Sequence, residues 1–218
     1  MENKSTLTEA AYRHIFEGIV TGKYRVGQTL SIDKLSATLN MSKTPIREAL
    51  VELEGEGLVY RRSRYYNVMY LSKEDVIDLY ETRIILEAEA ARLSSLRATD
   101  QQIEDMRSTL KVINDLTNQE NPDPLLLTEM NGKFHWLIAS SCGNKTIAKY
   151  CTDIRLRLKA VRTSLFTSMD RREDEIREHE HIFKAIEKRD ADEAVKRMLQ
   201  HERNVMKFVD RVVLPELF

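Results

Sequence analysis

From about residue 72 onward the chain reads as one helix after another, with no strand signal and no internal repeat. Start signals recur along it: Ser72 with Asp75, Thr99 with Gln102, and Asp190 with Glu193. In each, a short oxygen-bearing side chain is followed three residues later by an acid or amide, the pairing that satisfies orphan N–H groups at a helix N-terminus. The pattern predicts helices near 73–94, 99–118, 123–141, 144–168, 171–188 and 191–211, with a linker at 118–123 ahead of Pro124. Such a series can bury its apolar stripes only by packing helix on helix, so an all-α antiparallel bundle is expected over 72–218. Composition agrees: 7 Gly and 4 Pro are too few for a turn-rich all-β fold or a disordered chain.

The first 71 residues follow another plan. A helix over 7–21 carries Leu7, Ala11, Ile15, Phe16 and Ile19 on one face and stops at Gly22. Residues 24–27 form a turn. A short second helix follows Ser31 as its N-cap, with Ile32, Leu35 and Leu39 aligned. A third begins near Ser42 or Thr44, tolerates Pro45 in its first turn, and buries Ile46, Ala49, Leu50 and Leu53 before Gly55-Glu56-Gly57. Segments 58–60 and 66–70 then read as a hairpin around a basic tip, Arg61-Arg62-Ser63-Arg64. Three helices and a two-stranded ribbon in so short a span form a winged helix-turn-helix. The expected architecture is therefore mainly α: a winged helix-turn-helix domain at 1–71 and a helical domain at 72–218.

Several classes drop out. No run of eighteen apolar residues exists, so no membrane span is expected, and the first residues lack the apolar core of a secretory leader. Two cysteines, Cys142 and Cys151, are too few for a disulfide framework, which makes a cytoplasmic setting the expectation. The net charge is −1, about +2 in the first 70 residues and −3 beyond, too mild a contrast to announce a polyanion partner. No nucleotide-binding loop or nucleophile elbow occurs.

The functional signal is local. With Ile46, Leu50 and Leu53 inward, Lys43, Thr44 and Arg47 occupy the exposed start of the third helix. A recognition helix reads base edges from that end, and Arg or Lys suits guanine O6 and N7. Arg61, Arg62 and Arg64 suit phosphates or the minor groove. Charge pattern alone leaves ordinary surface residues as an equal alternative. The run KLSATLNMSKTPIREALVELEGEGLV, however, resembles the DNA-binding domain of the GntR family of transcription regulators, and the match spans about residues 7–70. The resemblance implies that Lys43, Thr44 and Arg47 contact operator DNA. It departs from the family at Lys43, usually arginine, and at the wing glycine, near whose place Tyr65 stands.

The histidines carry the second signal. Asn131 and His135 are four apart and share a helix face. His179 and His201 each lie 11 residues from Asp190, about three helical turns, so in an antiparallel pair they come level. Three imidazoles and an amide oxygen would suit a divalent transition metal: Zn, Ni, Mn or Fe. The alternative is that each is an ordinary core or solvated histidine. His181, about 200° from His179 around the helix, and His14 are read as surface or half-buried residues; Trp136 is read as core.

Here DLYETRIILEAEAARL, NGKFHWLIASSCGN, EHEHIFKAI and RMLQH resemble the FCD domain of FadR-type GntR regulators, over about residues 74–205. The resemblance implies a metal set of Asn131, His135, His179 and His201, with Asn131 where the family often has aspartate. It also implies that Arg83 holds the carboxylate of a small organic acid; the alternative for Arg83 is a surface salt bridge to Glu87. The function expected is a homodimeric regulator that binds a roughly palindromic double-stranded DNA operator and answers to an acid effector at a metal site, with no membrane partner. A regulator answering to the metal itself, and a metal-dependent hydrolase or lyase, are the alternatives.

Overall fold

The computed structural model describes residues 2–21, 23–25, 27–69, 71–159, 161–162 and 169–217. Contacts divide the chain into two compact units, Met1–Ser72 and Lys73–Phe218.

The first unit runs α1 (Glu2–Val20), β1 (Thr29–Leu30), α2 (Ile32–Leu39), α3 (Lys43–Gly55), β2 (Val59–Arg62) and β3 (Tyr65–Val68). α1 lays Ala11, Tyr12, Ile15 and Phe16 against α3, where Ile46, Ala49, Leu50 and Leu53 are fully buried. Leu7, expected on the same stripe, is 43% exposed; Gly22 lies outside the described residues. The Ser31 hydroxyl accepts from the Lys34 N–H and caps α2, which ends on Asn40 in the left-handed region.

The sheet has three antiparallel strands in the order β1-β3-β2. β1 was not foreseen, because two residues carry no alternation to read. The hairpin also differs from expectation. Arg61 and Arg62 pair with Tyr66 and Tyr65 inside the ladder, so only Ser63 and Arg64 form the tip. The strained position of the wing is Ser63, with φ 59, and Tyr65 is an exposed strand residue.

The second unit comprises α4 (Lys73–Arg97), α5 (Asp100–Thr117), α6 (Pro124–Ser141), α7 (Lys145–Arg157), α8 (Met169–Glu187) and α9 (Ala191–Phe208), then a π-helical turn at Val209–Val213 and α10 (Leu214–Leu217). Caps set the boundaries. Thr99 and Gln102 form a reciprocal capping box, Asp123 accepts from the Leu125 and Leu126 N–H groups ahead of α6, and Asp190 accepts from the Glu193 N–H. The helix expected over 144–168 is described as α7, ending at Arg157; residues 160 and 163–168 lie outside the described residues. α8 turns into α9 through Arg189 at φ 60, where the N–H groups of Asp190 and Arg189 close onto the Ala185 and Ile186 carbonyls. α4 packs along α9, α6 and α8, so its inner face looks onto all three. Cys142 and Cys151 are free thiols in the core.

Candidate functional site

In the helical unit the i,i+4 spacing on α6 turns Asn131 and His135 inward, while α8 supplies His179 and α9 supplies His201; all are buried. The three imidazoles converge, with ring centroids 4.9 Å apart for His135 and His179, 4.6 Å for His179 and His201, and 5.1 Å for His135 and His201. Each offers a ligand atom within 4.8 Å of the others. His135 Nε2 lies 3.0 Å from His179 Nε2, the separation of ~3 Å expected for two nitrogens held ~2.1 Å from one ion at right angles.

Carboxylates aim two of these rings. Glu87 Oε2 sits 3.0 Å from His135 Nδ1, and Glu178 Oε2 sits 2.7 Å from His201 Nδ1. A carboxylate accepts a proton at Nδ1 and so leaves Nε2 with its lone pair facing inward. Asn131 is aimed likewise: its Nδ2 donates to the Leu127 carbonyl at 2.7 Å, which directs Oδ1 away from the backbone. Asn131 Oδ1 and His201 Nε2 are both buried and find no hydrogen-bond partner among the described residues. Burial, helped by the Arg155 guanidinium, holds the His135 pKa well below its ordinary value; burial and His201 do the same for His179. Three converging imidazoles and an unpartnered amide oxygen form a donor set that fits a divalent cation.

Around this set runs a network of buried ion pairs. Arg83 Nη2 donates to Glu202 Oε1 at 2.6 Å, and Arg83 Nε lies 3.5 Å from Glu87 Oε1. The Arg83–Glu87 pair therefore exists, but both side chains are 0% exposed, which overturns its reading as a surface bridge. Glu202 Oε1 in turn lies 3.7 Å from His201 Nε2, so one carboxylate separates Arg83 from the imidazoles. Arg155 joins at Glu87 Oε1 (3.2 Å), Arg162 at Glu175 Oε1 (3.0 Å) and Arg171 at Glu178 Oε2 (2.8 Å). Burial alone would raise the Glu175 carboxyl, but Arg162 and Arg171 hold it down at about 2.

Glu178, Glu202, Glu175, Arg155, Arg162 and Tyr80 escaped the sequence reading. A signal existed for Glu178 and Glu202, each of which adjoins a site histidine in the chain. His181 is exposed and His14 half-buried. Trp136, expected in the core, is 51% exposed, because one residue beyond His135 rotates it off the inward face.

In the first unit Lys43, Thr44 and Arg47 are all exposed on α3. Ser42 caps α3 with no side-chain bond, which leaves the helix's first N–H groups open. Lys43 Nζ is 2.5 Å from Asp33 Oδ1 on α2. Lys43, Arg47, Arg64 and Tyr65 line one groove with residues 30–33. Arg61 and Arg62 are exposed outside that lining; Arg61 Nε donates to the Ser63 carbonyl at 3.1 Å, and Arg64 lies over the Tyr65 ring.

Comparison with known proteins places both units. Residues 7–65 match the model of bacterial regulatory proteins of the gntR family, and residues 78–204 match the FCD domain. The chain is 29% identical over 195 residues to the Nta operon transcriptional regulator of Aminobacter aminovorans, covering 89% of each chain. It is 25% identical over 191 residues to the HTH-type transcriptional regulator YdhC of Bacillus subtilis (strain 168), covering 87% of this chain and 85% of that one. In fold it is similar to E. coli McbR/YncC, with a TM-score of 0.64 and 16% identity over 94% of this chain and 97% of the other.

Proposed function

Because this chain belongs to the GntR family and carries the FCD domain, we propose that it is a homodimeric regulator governed by a small carboxylic acid at a divalent metal ion. The relatives are transcriptional regulators and not enzymes, so the hydrolase or lyase alternative is set aside. Among the described residues no helix is long and apolar enough to cross a membrane.

Asn131, His135, His179 and His201 hold the ion, which supplies positive charge for an anion in a site shielded from water. Arg83 binds the acid. Lys43, Thr44 and Arg47 read the operator's base edges, and Arg61, Arg62 and Arg64 hold its backbone. The acid alters operator affinity by binding the DNA-competent and DNA-incompetent dimer arrangements unequally. One observation carries this reading: His201 offers a ligand atom within 4.8 Å of an imidazole pair 3.0 Å apart, and its Nε2, like Asn131 Oδ1 on the helix that carries His135, is buried and unpartnered among the described residues.

Elemental analysis with native mass spectrometry tests it. The expected result is a dimer carrying one divalent ion per chain, lost in a His135→Ala/His179→Ala variant that still folds; stoichiometric metal in that variant overturns the ligand set. A second reading, in which the metal itself is the signal, draws on Arg83 already having two carboxylate partners within the protein. Operator affinity that follows free metal and ignores every acid tested would favour it.

A further inference from the structure

A second buried guanidinium near the histidines is underused. Arg162 is 1% exposed and donates from Nη2 to Glu175, yet its Nε and Nη1 find no hydrogen-bond partner among the described residues. The same holds for Nη1 of Arg83 and for the hydroxyl of Tyr80, both fully buried. These groups border one cluster: the Arg83 guanidinium lies 5.6 Å from the Tyr80 ring centroid, and Arg162 pairs with Glu175, whose Oε1 also lies 3.9 Å from His179 Nε2. A guanidinium can only donate. Glu175 Oε2 and Glu202 Oε2 are unpartnered acceptors in the same cluster, but two oxygens are fewer than the open donors of Arg83, Arg162 and Tyr80, so the surplus on α4 and at residue 162 calls for a further acceptor.

The charge balance points the same way. Among the described residues, Arg83, Arg155, Arg162 and Arg171 are linked by ion pairs to Glu87, Glu175, Glu178 and Glu202, four of each sign. A divalent ion among the imidazoles adds two positive charges with no carboxylate left to offset them. Buried charge persists only when compensated, and a monocarboxylate would offset one charge of the two.

We infer that the effector is a small dicarboxylate, one carboxylate meeting Arg83 and the ion and the other meeting Arg162 and Tyr80. This rests on the metal-and-acid reading above and narrows it. Arg162 and Tyr80 are then the residues that select a diacid over a monoacid.

The test is isothermal titration of the full-length, zinc-loaded protein with malonate, succinate and glutarate, each against the monoacid of equal carbon number. The best diacid should bind at least tenfold tighter than its monoacid. Arg162→Gln should weaken the diacid about tenfold and leave the monoacid unchanged, and Arg162→Lys should restore part of the loss. Tyr80→Phe, which deletes one oxygen and little volume, should narrow the same ratio about threefold, and it carries the comparison if Arg162→Gln does not fold. Monoacids binding as tightly as every diacid, or both classes weakened equally by these variants, would overturn the inference and leave the metal-and-acid reading standing. A protein that takes up no zinc, or binds neither class, would sink both.

Discussion

Glu178→Gln isolates the part played by a carboxylate that never needs to touch the metal. Glu178 Oε2 accepts from His201 Nδ1 at 2.7 Å and from Arg171 Nη2 at 2.8 Å, while Oε1 accepts from Asn204 Nδ2 at 2.7 Å. Glutamine keeps the shape but only one accepting oxygen, so its amide must face at least one of these donors with a donor of its own. If the oxygen stays on His201, a charge-assisted bond of ~1.5–3 kcal/mol becomes a neutral one of ~1 kcal/mol. If the amide turns to His201, the ring is pushed toward the tautomer whose proton sits on Nε2, where the lone pair is needed. Either way the ligand loses ~0.5–2 kcal/mol of support, and at ~1.4 kcal/mol per decade zinc binding weakens about 2–30-fold. Arg171 keeps Glu175 at 3.7 Å, so its charge is not stranded and the variant should fold. Competition against a chromophoric chelator gives the affinity, circular dichroism checks the fold, and Glu193→Gln, on a half-buried ion pair with Arg197, is the control. A folded Glu178→Gln protein with unchanged zinc affinity would refute the orientation argument and His201 as a ligand together.

Asn131→Asp adds a negative charge at the oxygen donor and should tighten divalent binding roughly tenfold, read by the same chelator competition. Arg47→Ala should cost operator binding ~1–3 kcal/mol and relax sequence choice, whereas Arg62→Ala should weaken all sequences alike and flatten the salt dependence; gel shifts on single-base operator variants separate the two. Ser63→Gly removes a left-handed serine at the wing tip, and with the entropy of glycine set against the relieved strain the N-terminal unit should gain ~0.5–1 kcal/mol in a denaturant melt. Arg83→Met strands Glu202 without its guanidinium, while Glu87 keeps Arg155, and should destabilise the helical unit by ~3–5 kcal/mol in the same kind of melt.

What the sequence made legible is what local rules decide. The i,i+4 step put Asn131 and His135 on one face, and equal spacing about Asp190 brought His179 level with His201 because the turn there closes tightly through Arg189. The same arithmetic could not say which acids belong to which bases. Glu175 and Glu178 sit one helical step apart on α8, yet Glu175 meets Arg162 and Glu178 meets His201. That division depends on how α9 and the chain at residue 162 lie against α8, which no periodicity encodes. Arg83 shows why it matters. Four residues from Glu87 it has the spacing of a solvent-exposed pair worth a few tenths of a kcal/mol, but α9 packs over α4 and adds Glu202 at 2.6 Å with both side chains 0% exposed. Burial by a helix more than a hundred residues away turns a marginal surface contact into a charge that must be compensated, and makes the balance of the whole cluster, rather than any single pair, the quantity an effector can change.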